Sequence, residues 1–178
     1  MAEAEKGFNA THNEYVTVER HALQDNIILC DSKCGILLGF GALILLWCMD
    51  KLLALTERSE GYQRILEEVL YGCAIVALLI AVTFAWRVIK PRIHHSHDHI
   101  YWGSKIFKQS ADDFALTVQN ADSDRLTVDM LNHLHILAKI CCQKYENFAR
   151  AVMAMQFAGG FVILAVCVQI GKNFIAPR

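Results

Sequence analysis

Three stretches of this chain are long, apolar and without charged side chains. The first holds sixteen residues from Cys34 to Met49, and Leu52–Leu55 extends it beyond one charged pair. The second covers the eighteen residues of Val69–Trp86, and the third the twenty residues of Ala151–Ile170, in which glutamine is the only polar residue type. A helix rises about 1.5 Å per residue, so runs of roughly twenty residues cross a hydrocarbon core of about 30 Å. The sequence therefore predicts an all-α membrane protein with three transmembrane helices.

The third apolar run continues a helical pattern that begins much earlier in the chain. From Leu126 onward, apolar residues recur at a spacing near 3.6, and no glycine or proline interrupts them before Gly159. We therefore expect the last crossing to be continuous with a long cytoplasmic helix. A short helix should precede it, because Ser110 and Asp113 have the spacing of a capping box.

These patterns divide the chain into four expected segments. Residues 1–12 show no clear apolar spacing and are expected to be loose, whereas helical spacing follows from Asn13. Pro91 and the basic residues beside it end the second crossing. The expected segments are 1–30, an N-terminal amphipathic helix; 31–92, a transmembrane hairpin of two helices; 93–150, a helical cytoplasmic region; and 151–178, the third crossing and tail.

Basic residues are distributed unevenly between the two sides of the predicted membrane. With the N-terminus inside, residues 1–33 and 87–150 hold twelve lysines and arginines, and the opposite side holds five. Cytoplasmic segments carry the excess of basic residues in multi-pass proteins. We therefore predict that the N-terminus and residues 87–150 are cytoplasmic. The chain as a whole has a formal net charge of −1, which gives no electrostatic basis for a nucleic-acid partner.

Cations and aromatic rings collect near the predicted cytoplasmic face of the membrane. A nucleotide needs cations for its phosphate and an aromatic plane for its base. The same residue types are also the ordinary basic and aromatic flanks of membrane helices, and a lysine there can simply extend toward water. The candidate ligand-binding residues are Arg92, Lys33, Lys144, Tyr145, Trp102 and Asp31.

Glycines are concentrated in the first crossing. Gly35, Gly39 and Gly41 leave part of its surface almost without side chains, so another helix could approach closely there. These glycines predict a membrane assembly surface, with simple helix packing as the alternative. The seven cysteines are odd in number and partly lie within apolar runs, which favours buried thiols over a disulfide framework.

Motifs for catalysis are missing from the sequence. We find no phosphate-binding glycine loop, no GxSxG and no HExxH, so we expect no enzyme, no catalytic residues and no cofactor. The histidines of His94–His99 have the residue type that binds zinc or nickel. A polar linker, however, lacks the surrounding groups that hold metal ligands in place, so no metal site is predicted. A metal-responsive or structural membrane protein that uses this cluster remains the alternative function, and a membrane-anchored enzyme is a third.

Four short stretches of the sequence carry a resemblance when they are taken together: Asp31–Phe40, Lys90–Ile93, Ile100–Gly103 and Ala138–Tyr145. They resemble the Pycsar effector transmembrane family, whose members act with bacterial pyrimidine cyclases in anti-phage defence. The resemblance implies a cytoplasmic region that senses cyclic UMP or cyclic CMP, and a membrane part that impairs the inner membrane so that infection is aborted. The histidine cluster is not part of this resemblance. We also expect a homo-oligomer in contact with lipid.

Overall fold

Four helices account for nearly all of the structure. The computed structural model describes residues 2–56, 61–90, 110–120 and 123–175, of which 97% are helical and none forms a strand. The prediction of an all-α protein is confirmed. In chain order the helices are α1, Ala2–Thr56; α2, Tyr62–Ile89; α3, Ala111–Gln119; and α4, Ser123–Ile175.

Within the described residues, three helices are long and apolar enough to cross a membrane. They contain the spans Glu14–Leu55, Tyr62–Ile89 and Thr127–Gly171. The chain is therefore a multi-pass membrane protein, as the three uncharged runs predicted. The 53-residue α4 confirms that the last crossing is continuous with a longer helix. At 1.5 Å per residue α4 is about 80 Å long, so more than half of it extends beyond a 30 Å hydrocarbon core.

The first residues of α3 and α1 can be compared with what the sequence predicted for them. The Ser110 hydroxyl accepts a hydrogen bond of 3.1 Å from the Asp113 amide and donates one of 2.8 Å to its carboxylate, so the predicted cap of α3 is confirmed. The expectation that residues 1–12 are loose was wrong, because α1 begins at Ala2. The alanines and charged residues of that segment favour helix, and an established helix extends at little cost per residue.

The chain divides into two compact units. One comprises residues 1–29 and 91–143, and the other comprises residues 30–90 and 144–178. In the first unit, α3 accompanies parts of α1 and α4, and its buried side chains include Val16, Asp129 and Cys141. The second unit contains the most apolar parts of α1, α2 and α4. We call this second unit the membrane unit.

Small side chains spaced as in a coiled coil form the core of the membrane unit. In α2 the fully buried positions alternate four and three residues apart, from Glu67 and Tyr71 to Ala85 and Val88. This alternation is the heptad spacing that lets one helix stripe face its neighbours continuously. In α4 the buried alanines recur every seven residues, and in α1 cysteines and Gly41 take the equivalent places. Small residues allow close helix packing in lipid, where hydrophobic burial itself drives little association. The alanines are Ala151, Ala158 and Ala165, and the cysteines are Cys30, Cys34 and Cys48.

The core of the membrane unit has two clusters, one toward each end. The turn-end cluster lies where α1 ends and α2 begins, and it centres on Tyr71, whose ring meets Trp47 edge-on at 5.9 Å between centroids. The second cluster joins Cys30 and Cys34 of α1 to Val88 of α2 and to α4, and we call it the ion-pair-end cluster. Since the start of α2 packs with the later parts of α1 and α4, α2 runs antiparallel to both.

Candidate functional site

An ion pair lies beside the ion-pair-end cluster. Lys144 Nζ of α4 donates a hydrogen bond of 2.5 Å to Asp31 Oδ1 of α1, across 113 residues of sequence. Lys144 is buried, with 7% of its surface exposed, whereas 39% of the Asp31 side chain is exposed. The pair therefore joins a cation inside the helix packing to a carboxylate that is partly exposed.

The position of Lys144 follows from the heptad pattern of α4. It lies seven residues before Ala151 and therefore on the same buried stripe of α4. From that stripe its side chain reaches Asp31 of α1. Asp31 follows the buried Cys30 and precedes the buried Cys34 by three residues. A charge inside helix packing is costly unless a partner compensates it, and removing one partner leaves the other uncompensated. The two residues thus depend on each other.

An aromatic residue follows Lys144 in α4. Tyr145 is half-buried and, with Phe148, packs against the ion-pair-end cluster. A phenol ring provides both a flat apolar surface and a hydrogen-bonding tip. The cluster thus has a flat ring on the same helix as a buried ammonium group, which an anion could reach by taking the place of the Asp31 carboxylate.

The structure brings together three of the six predicted ligand-binding residues: Asp31, Lys144 and Tyr145. Lys33 is exposed on α1. Arg92 and Trp102 lie outside the described residues, as does the histidine cluster His94–His99. Within the described parts of the chain no three histidine, cysteine or acidic side chains are grouped as a metal site would require. The ligand-binding roles of all six residues stay predictions.

The three glycines predicted to serve assembly face two kinds of surroundings. Gly35 and Gly39 have no atom within 4 Å of the place where a Cβ would stand, so they face open space. Gly41 is buried, and a Cβ there would meet Met155 Cε of α4 at 2.9 Å. Gly41 thus serves packing inside one chain, while Gly35 and Gly39 leave a surface on which a second helix can pack.

Glu67 is a second charged residue type in the core of the membrane unit, and it was not predicted from the sequence. It is 1% exposed at the turn end, and within the described part of the chain its Oε1 has no hydrogen-bond partner. A cavity of about 40 Å³ beside it is also lined by Lys51, Tyr71 and Gln169. The heptad register of α2 would have revealed it, because Glu67 stands seven residues before Ala74 on the same stripe.

Comparison with known protein families gives a match over most of the chain. Residues 16–171 match the family model for the Pycsar effector protein domain (PycTM). The matched range includes the three membrane-length helices almost entirely, together with Asp31, Lys144 and Tyr145. Searches of curated proteins and of solved structures gave no significant match.

Proposed function

Because this chain belongs to the Pycsar effector protein domain family, we propose that it is a membrane effector that binds cyclic UMP or cyclic CMP and then impairs the bacterial inner membrane. Membership makes it a membrane protein of Pycsar anti-phage defence, functionally linked to a cyclase. The identity of the ligand and the damage to the membrane are what we propose beyond family membership. In this proposal the protein acts by binding rather than by catalysis, and infection is aborted when the membrane fails.

One observation supports the ligand part of the proposal: the buried ammonium of Lys144 lies 2.5 Å from Asp31, at the cluster against which Tyr145 also packs. A cyclic nucleotide monophosphate carries one phosphate charge and one flat base. Its phosphate can replace the Asp31 carboxylate at Lys144, and its base can stack on Tyr145. Arg92, Lys33 and Trp102 are proposed to complete the site from the predicted cytoplasmic side.

Displacement of the Asp31 carboxylate from Lys144 by the ligand's phosphate would also couple ligand binding to the packing of the membrane helices. While the pair is intact, it ties α1 to α4 beside the packed residues Cys30, Cys34 and Ala151. A ligand that binds better when α1 and α4 are apart at this point shifts the population toward that arrangement. The core is held by close contacts between small side chains, so separating the helices at one end loosens the bundle within lipid.

Assembly of several copies is the remaining part of the proposed mechanism. The surface at Gly35 and Gly39 is open and lies on the crossing that carries Asp31. We propose that it forms the contact between copies of this chain.

The decisive experiment is isothermal titration of the detergent-purified protein with cyclic UMP, cyclic CMP, cyclic AMP and cyclic GMP. We expect one of the pyrimidine nucleotides to bind most tightly. Lys144→Gln should weaken that binding about a hundredfold, since losing a charged hydrogen bond in a partly desolvated site costs about 2–3 kcal/mol. Asp31→Asn should instead strengthen binding, because the competing carboxylate has become neutral.

The matched control is Lys139→Gln, an exposed lysine on the same helix, which should bind as the parent does. If the parent binds a pyrimidine nucleotide and neither Lys144→Gln nor Asp31→Asn changes the affinity, the site lies elsewhere. If the parent binds none of the four nucleotides, the proposed ligand class is wrong. Membrane potential in cells given the bound nucleotide tests the second half of the proposal, and an unchanged potential would contradict it.

A further inference from the structure

A long apolar groove runs between α2 and α4 in the membrane unit. Its volume is about 750 Å³, and its lining includes Gly72, Val76 and Ile80 of α2 and Met153 and Phe157 of α4. The lining begins at Val69 and reaches Phe84, a rise of about 22 Å along α2. One leaflet of a 30 Å hydrocarbon core is roughly 15 Å deep, so the groove is long enough to receive a lipid acyl chain from one leaflet.

Two arginines mark one end of this groove. Among the described residues of the lining Arg150 alone is charged, and its guanidinium lies 5.9 Å from the centre of the Phe84 ring. The guanidinium of Arg87 lies 5.5 Å from the same ring. Within the described part of the chain neither arginine takes part in an ion pair. Two like charges on one ring, with no acidic partner among the described residues, form a place that favours an anion.

We propose that this groove binds one anionic phospholipid, with an acyl chain along the apolar lining and the headgroup phosphate between Arg87 and Arg150. The two parts of the groove match the two parts of such a lipid. Apolar side chains accept the chain, and guanidinium groups hold phosphate oxygens in a bidentate manner. Basic pockets at the ends of membrane helices commonly bind anionic headgroups in this way.

The arginines also argue against a second copy of the chain as the occupant. Two copies packed symmetrically through this groove with their helices parallel would bring both pairs of arginines together. Like charges in such a contact repel each other, and an apolar helix would bring no anion to compensate them. A phospholipid supplies the missing negative charge. This inference does not depend on the proposed nucleotide ligand.

Glycine at position 72 allows the groove to be filled without disturbing the core. No atom lies within 4 Å of the place where a Cβ would stand at Gly72, and the residue belongs to the groove lining. Gly72→Phe should therefore occupy the space of the acyl chain. Gly160→Phe is the matched control, because Gly160 also faces open space and does not line the groove.

The test is native mass spectrometry of the full-length, delipidated protein titrated with phosphatidylglycerol and, separately, with phosphatidylcholine of the same chains. We expect the parent to hold one phosphatidylglycerol at least tenfold more tightly than phosphatidylcholine. Arg150→Gln and Arg87→Gln should each weaken phosphatidylglycerol binding about tenfold and leave phosphatidylcholine nearly unchanged. Gly72→Phe should weaken both lipids, and Gly160→Phe neither.

Equal binding of the two lipids by the parent, or unchanged binding in both arginine variants, would overturn the headgroup assignment. Unchanged binding in Gly72→Phe would overturn the place of the chain. Loss of chemically crosslinked dimers in Gly72→Phe but not in Gly160→Phe would show that the groove is a protein contact instead. Thermal melting serves as the fold control, since a variant that melts as the parent does is correctly packed.

Discussion

The two ends of the membrane unit each place an acidic or basic residue in the core stripe, yet they treat its charge differently. At the ion-pair end Lys144 meets the carboxylate of Asp31 from another helix at 2.5 Å. At the turn end Glu67 is more deeply buried beside a cavity of about 40 Å³, and its Oε1 has no hydrogen-bond partner among the described residues. One end has a compensated charge, and the other has a carboxylate oxygen that no described residue compensates.

The two ends are expected to contribute differently to the stability of the native state. A compensated pair stabilises the packing only while both partners are present, so removing one partner costs free energy. A buried polar atom without a partner already lowers the stability of the native state, so removing it should gain free energy. The same kind of substitution is therefore expected to act with opposite sign at the two ends. The opposite signs agree with the proposal that the ligand acts at the ion-pair end.

The largest expected effect is the presence or absence of chemical labelling, which reports which end of the membrane unit faces the cytoplasm. In a variant with its native cysteines replaced by alanine, Ser110→Cys should escape a membrane-impermeant maleimide on intact cells, and Ser59→Cys should be labelled. Alanine suits the core cysteines, because the neighbouring core positions are already alanines. The reverse labelling pattern would place the ion-pair end outside and remove the proposed access of a cytoplasmic nucleotide.

At the ion-pair end, Asp31→Leu should lower the free energy of unfolding by about 2 kcal/mol. Breaking a fully buried pair costs more than this, but the partly exposed Asp31 carboxylate reduces the loss. Adding Lys144→Met should restore most of the stability, because the uncompensated cation is then gone. Thermal melting in detergent should show the single variant roughly 4–8 °C below the parent. A double variant less stable than Asp31→Leu would contradict the dependence of Lys144 on Asp31.

Substitutions at two glycines of α1 distinguish packing within one chain from contacts between copies of the chain. Gly41→Leu should destabilise the protein by about 1–3 kcal/mol, because its side chain would overlap Met155 in the core. Gly39→Leu should leave the melting temperature unchanged and weaken self-association and toxicity, because that position faces open space. Crosslinking in membranes measures the association. Unchanged crosslinking in Gly39→Leu would count against this face as the contact between copies.

At the turn end, Glu67→Met should raise the free energy of unfolding by about 1 kcal/mol. The substitution removes the buried carboxylate and keeps a side chain of similar length in the core. The neighbouring Glu68→Gln is the control, since Glu68 forms a helical ion pair with Arg64 at 2.7 Å whose loss should cost only a few tenths of a kcal/mol. If Glu67→Met melts below the parent, Glu67 has a partner that stabilises it.

Several features of the fold could be predicted from the sequence because they depend on neighbouring residues alone. Three uncharged runs predicted the three membrane-length helices, and an uninterrupted spacing from Leu126 predicted the continuity of α4. The Ser110 cap was predicted for the same reason, since its hydrogen bonds join residues three apart. Of the candidate site, the sequence supplied the residue types and their place near a membrane face.

The sequence by itself therefore determined that this chain has three membrane-length helices, and the tertiary structure decided which side chains meet. Hydropathy adds up along a continuous segment, whereas a contact such as Asp31–Lys144 depends on how segments 113 residues apart pack. Packing also decided that Gly41 turns toward α4 while Gly39 faces open space. It likewise buried Glu67 and left Glu68 partly exposed beside Arg64. Adjacent residues point about 100° apart on a helix, so their surroundings depend on which stripe the neighbouring helices cover.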